Sequence, residues 1–134
     1  MKNNKYSFTK ETLEIPTSEG IIILNRIKAE CDLLSQGIKK GDLGGFIQSD
    51  KNLQVSGDAW ISGNAKVYGN AQVSGDAWIY GNAQVSGDAQ VSGDAWIYGN
   101  AQVYGNAQVY GNAWISGNAQ VSGDAQVSGD AWIY

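Results

Sequence analysis

Histidine is absent from this chain of 134 residues, and cysteine, proline and methionine occur once each. Without an imidazole there is no ordinary general base and no nitrogen ligand for a metal. The lone Cys31 excludes an intramolecular disulfide, and a thiol nucleophile there would lack its usual basic partner. Cys31 therefore reads as a small, half-buried apolar residue. One proline among 18 glycines excludes a Pro-rich linker, and those glycines do not fall at every third position, which excludes collagen. The longest aliphatic run, Ile21–Leu24, is too short to cross a bilayer. The opening ten residues carry no apolar stretch of the signal-peptide kind, so cytoplasm is the default expectation.

Charge is sparse at 16% and unevenly placed. Residues 1–50 hold seven basic and seven acidic side chains, whereas residues 51–134 hold only Lys51 and Lys66 against six Asp. The whole net charge of −4 thus lies in the second part. No basic stripe is available for nucleic acid, and nothing points to a membrane partner.

What the chain has instead is a repeat. From Val55 one hexad recurs without insertion: Val/Ile, Ser/Tyr, Gly, Asp/Asn, Ala, then Gln/Trp/Lys. Val55–Trp60 is the first copy and Val127–Trp132 the thirteenth. Tryptophan fills the sixth position only at 60, 78, 96, 114 and 132, and an Ile follows each time. The true period is therefore 18 residues, three hexads to a coil. Successive coils should stack at one strand spacing, about 4.8 Å. Alternation puts Ala and Val/Ile on the inner side of a short strand and Gln/Trp/Lys and Ser/Tyr on the outer side. Gly with Asp or Asn makes each corner, since Gly and Asn tolerate positive φ. Three sides close a prism filled with Val, Ile and Ala.

The run Val-Ser-Gly-Asp-Ala-Gln resembles the hexapeptide repeat of left-handed parallel β-helix proteins over residues 55–134. The resemblance implies an all-β fold, a single-stranded left-handed parallel β-helix. It also implies what is missing. Acyltransferases of that family use a His base and its carbonic anhydrases hold zinc with three His, so neither activity transfers to this chain. A second, looser likeness covers Lys40-Gly-Asp-Leu-Gly-Gly-Phe-Ile-Gln-Ser-Asp-Lys-Asn-Leu53, which is similar to the lead-in segment of small bacterial and prophage hexapeptide-repeat proteins.

Residues 1–54 are expected to form a cap and an irregular first coil. Tyr6–Ile15 and Ile21–Ala29 are strand-like, and Pro16–Gly20 reads as the turn of a β-hairpin. Such a hairpin would cover a solenoid core that otherwise meets water. Ile47 and Leu53 are six apart and Val55 follows after two, a small adjustment of register. Gly41-Asp-Leu-Gly-Gly45 lacks the Lys-Ser/Thr of a phosphate loop and reads as a turn. Asp58, Asp76, Asp94 and Asp130 share a column with Asn112, but they read as corner residues exchangeable with Asn rather than as a cation site. No catalytic residue, metal site or cofactor is expected.

The positive feature is aromatic. Trp60, Trp78, Trp96, Trp114 and Trp132 should all face solvent on one flank, beside Tyr80, Tyr98 and Tyr134. A patch of that size usually has a partner. A second expected adhesive surface is the last coil, where Val127 and Ile133 would lie on an unpaired edge. The function expected is a non-enzymatic structural or self-assembly module, forming dimers or filaments through either surface. The alternative is a module of phage or prophage origin that binds carbohydrate or another protein.

Overall fold

Each hexad builds one two-residue strand and one corner. The computed structural model of the chain describes residues 5–18, 20–33, 37–55 and 57–134. Three longer strands come first: β1 (Tyr6–Thr17), β2 (Gly20–Ala29) and β3 (Leu43–Ile47). A short strand then follows in every hexad from Trp60–Ile61 to Trp132–Ile133. Strands one coil apart pair in parallel with a shift of 18, as in Trp96↔Trp114 and Gln102↔Gln120. The result is a β-solenoid with three sheets. One holds the five Trp-Ile strands and one holds four Gln-Val strands. The third continues from β1, β2 and β3 into Lys66–Val67 and the Gln-Val strands of that side.

The interior matches the alternation. Val, Ile and Ala from Ala59 to Ile115 line the core fully buried. The corners are more specific than the sequence indicated. Glycine alone takes the left-handed conformation; among the described residues no other type has positive φ. The Asp or Asn that follows uses its side chain instead. Asn82 and Asn100 donate to Asn100 and Asn118, one coil on, at 3.3 and 3.2 Å. Asn70, Asn106 and Asn112 donate to Asp88, Asp124 and Asp130 at 3.0–3.2 Å. An amide below a carboxylate makes a charge-assisted bond, and in the column of Asn82, Asn100 and Asn118 amides bond one another in the same way.

The first coil is longer than the rest. Phe46, Ile47 and Leu53 pair with Lys66, Val67 and Val73, a shift of 20 rather than 18. The two extra residues lie after Leu53, because Ile47 and Leu53 are six apart like Val67 and Val73, while Trp60 already pairs with Trp78 at the regular shift of 18. A 3-10 turn at Asp50–Asn52 makes the corner before them. Leu53, fully buried, takes the inward place that the hexad assigned to Val55, and Val55 is left half-buried. Asn52 fastens the turn from inside. Its Oδ1 accepts from the Gln48 and Ser49 amides at 3.0 and 2.9 Å, and its Nδ2 donates to the Ala71 carbonyl at 2.8 Å.

The hairpin forms, with its turn shorter than expected: Pro16 and Thr17 belong to β1, and Pro16 pairs with Ile21. β1 is an edge strand, where a missing N–H is tolerated. Tyr6, Ile27, Ala29 and Leu33 join the solenoid core, and the Tyr6 hydroxyl donates to the Leu53 carbonyl at 3.0 Å. Gly44 and Gly45 lie buried in β3 rather than in a turn. A Cβ on Gly44 would come within 2.8 Å of the Trp60 ring, and one on Gly45 within 2.6 Å of the Ala65 carbonyl. The pair lets β3 lie directly on the first regular coil.

Lys5 is buried at 3% exposure and donates to the Gln54 carbonyl at 2.8 Å. Burial lowers its pKa from 10.5 to about 8, against the pull of Asp58, Cys31 and Asp76. The unfolded chain therefore binds the extra proton between pH 8 and 10.5, and stability should rise with pH across that window. Chemical denaturation at pH 7.5 and 9.5 should show this rise in the natural chain, and Lys5→Met should lack it. An equal slope in both proteins would remove Lys5 as the cause.

Candidate aromatic interface

The Trp-Ile sheet carries its aromatic side chains in two files, because the sixth and second hexad positions both face outward. Parallel pairing with no stagger sets Trp60, Trp78, Trp96, Trp114 and Trp132 in one column. Trp96, Trp114 and Trp132 stack face to face, with centroids 5.0 and 4.9 Å apart and planes within 2°. Tyr80 and Tyr98 stack in the second file at 5.0 Å and 5°. Trp78 breaks the series. Its Nε1–H donates to the Ser62 hydroxyl at 3.1 Å, its ring meets Trp96 edge-on at 80°, and Tyr80 packs beside it at 4.8 Å. Burial raises the Tyr80 phenol above its usual pKa, with Tyr98 adding to the shift, so that hydroxyl stays neutral as a donor.

Trp60 does not belong to the exposed rank. It is fully buried, packed close to Gly44 within the core cluster. The cap runs over this end of the flank, and the missing Cβ of Gly44 lets it close onto the indole. The sequence did contain a signal, the paired Gly44-Gly45, which marks a close backbone approach. Trp78, Trp96 and Trp114 are half-buried because each ring covers its neighbour, while Trp132 is 63% exposed and Tyr134 88%. The flank therefore offers stacked ring edges with Tyr80 and Tyr98 alongside, and no charged side chain projects from its strands. Stacked pairs of this kind contribute about 0.5–1.5 kcal/mol beyond area burial, so the rank also stiffens the solenoid.

The expected second surface is weaker than the hexad implied. Val127 is buried, paired with Val109, and Ile133 is half-buried beside Ile115. Contact with the preceding coil covers their side chains. Among the described residues no three His, Cys, Asp or Glu side chains converge on a common point, and no helix is long and apolar enough to cross a membrane.

A family model described as YdcK Beta solenoid repeat matches the chain in overlapping windows: residues 59–75, 65–81, 71–87, 77–93, 83–99, 89–105, 101–117, 107–123 and 119–134. Together they span 59–134, more than half of the chain, and they begin at Ala59, just past the irregular first coil. No curated protein matches the sequence.

Proposed function

The chain belongs to the YdcK beta-solenoid repeat family, and on that footing we propose that it is a non-catalytic structural module that associates with further copies of itself through the Trp/Tyr flank. One observation carries the reading: Trp78, Trp96, Trp114 and Trp132 share a single flank with Tyr80, Tyr98 and Tyr134, and three of those indoles stack with a repeat of about 5 Å. Two periodic surfaces interdigitate along their length only when their periods agree. A second copy has the same period by construction, whereas an unrelated surface does not. The strands of the flank carry no charge, and the Asp58, Asp76, Asp94 and Asp130 carboxylates lie along one corner beside it. The isologous arrangement closes a dimer, and a staggered one extends it.

Sedimentation velocity tests this. The natural chain should shift from 14.3 kDa to larger species as concentration rises into the tens of micromolar. The shift should persist at high salt, since apolar contact is not screened. A Trp96→Ser/Trp114→Ser variant, with far-ultraviolet circular dichroism as a check on folding, should need at least tenfold more protein for the same shift. A natural chain that stays monomeric at millimolar concentration would rule the proposal out.

A further inference from the structure

The rings of the Trp flank form an unbroken chain of contacts along the solenoid axis. Trp78 meets Trp96 at 5.7 Å, and Trp114 and Trp132 follow at 5.0 and 4.9 Å. Tyr80 and Tyr98 run beside them, 5.0 Å apart. Cross-contacts tie the two files together: Trp78 to Tyr80 at 4.8 Å, Tyr80 to Trp96 at 6.3 Å and Tyr98 to Trp114 at 6.5 Å. Indole and phenol are, with the thiol, the side chains that give up one electron most readily. Electronic coupling decays exponentially with the gap between π systems, so rings in van der Waals contact exchange an electron far faster than separated ones.

We propose that this flank relays one-electron oxidising equivalents from Trp78 along the coils to Trp132. An external one-electron oxidant, such as a photoexcited metal complex or flavin, takes one electron from Trp78 and leaves an indole radical cation. Trp96 then gives an electron to Trp78, Trp114 to Trp96 and Trp132 to Trp114, and no bond forms or breaks. At Trp132, 63% exposed, a soluble one-electron reductant such as a thiolate or an ene-diol restores the indole and is itself oxidised. Geometry sets the direction. Trp96, Trp114 and Trp132 overlap face to face with planes within 2°, so a positive hole spreads over the stack at lower energy than on one ring. Trp78 meets that stack edge-on at 80° and gains no such overlap, so the hole moves away from it. Charge supports the same path. The Asp58, Asp76, Asp94 and Asp130 carboxylates lie along the corner beside the flank, whose strands carry no cation, and this favours a positive charge on the indoles. Oxidation of a phenol at neutral pH also requires loss of its proton, and burial holds that proton on Tyr80. The relay belongs to a single chain and is independent of self-association.

A tethered photo-oxidant tests the relay. Asn82 is exposed on the corner that follows Tyr80, three coils, or about 14 Å, from Trp132 along the axis. A ruthenium polypyridyl complex is attached there through Asn82→Cys in a Cys31→Ser background. Dilute protein is irradiated under argon with an electron-accepting quencher and a nitroso spin trap, and the adducts are mapped by mass spectrometry. With the natural flank they should fall mainly on Trp114 and Trp132. Trp96→Phe/Tyr98→Phe interrupts both files with rings of similar shape, so the solenoid should fold, and the ratio of Trp132 to Trp78 adducts should drop at least tenfold. An unchanged ratio, or adducts mainly on Trp78 with the natural flank, would overturn the proposal. So would a Trp132 yield per chain that rises with protein concentration, because those adducts come from a neighbouring molecule.

Discussion

Gly93→Ala should lower the unfolding free energy by about 3 kcal/mol, from two costs that act together. The residue sits at φ +69°, and placing a Cβ in that region costs about 1–2 kcal/mol. The new Cβ also comes within 2.8 Å of the Gly111 amide nitrogen in the next coil. That atom is backbone, and the carbonyl of the same residue accepts from Asp94 N–H at 2.8 Å within the stack, so it cannot move without separating two coils. Overpacking of this kind costs about 1–3 kcal/mol. Gly93→Asn separates the two costs. Asparagine tolerates the left-handed region but still brings a Cβ, so it should recover no more than about 1 kcal/mol of the loss. Urea denaturation of the three proteins reads both differences. An alanine variant as stable as the natural chain would mean that the coils are not packed as tightly as described.

Asn52→Ala should cost about as much, by a different route. The side chain is fully buried and satisfies two backbone amides of its own corner and a carbonyl of the next coil. Each buried polar group left without a partner costs about 1–3 kcal/mol, and three groups share one side chain, so about 3 kcal/mol is the expected loss. Asn70→Ala is the control. That side chain is exposed and, among the described residues, bonds Lys51 and Asp88, so its removal should cost under about 0.5 kcal/mol. Denaturation should show a gap of several-fold between the two variants. Hydrogen exchange should further show that Asn52→Ala releases the amides of Gln48 and Ser49 first.

The parts of this fold that follow from neighbours in sequence could be read from the sequence. Inside and outside alternate within three residues, each corner is a single Gly, and the Trp-Ile pairs announce which hexads stack. The solenoid, its 18-residue register and the common flank of Trp78, Trp96 and Trp114 rest on those local rules. The differences arise where distant segments meet. Trp60 obeys the local rule for facing outward, yet β3 and the hairpin come from residues far upstream to bury it. Val55 has the right identity for the core, but the pairing of β3 sets a shift of 20 that continues to Leu53 and gives Leu53 its place. Nothing local distinguishes these residues from their copies in later coils. Pro16 reads as a turn residue because its edge position in β1 is a property of the sheet. The bonds from the Asn70, Asn106 and Asn112 amides to carboxylates one coil on depend on a direction of donation that only the structure gives.

Self-association of this kind requires the Trp/Tyr flank to meet its counterpart on another copy. A photo-crosslinker tests that contact in place. p-Benzoylphenylalanine at position 116, in the Tyr file between Tyr98 and Tyr134, should give covalent dimers on irradiation at concentrations where the chain associates. The attachment should map by mass spectrometry to residues 78–134 of the Trp/Tyr flank. The same group at position 92, on the Gln-Val flank, should give few. Equal dimer yields from the two positions, or none from position 116 in an associated sample, would contradict it.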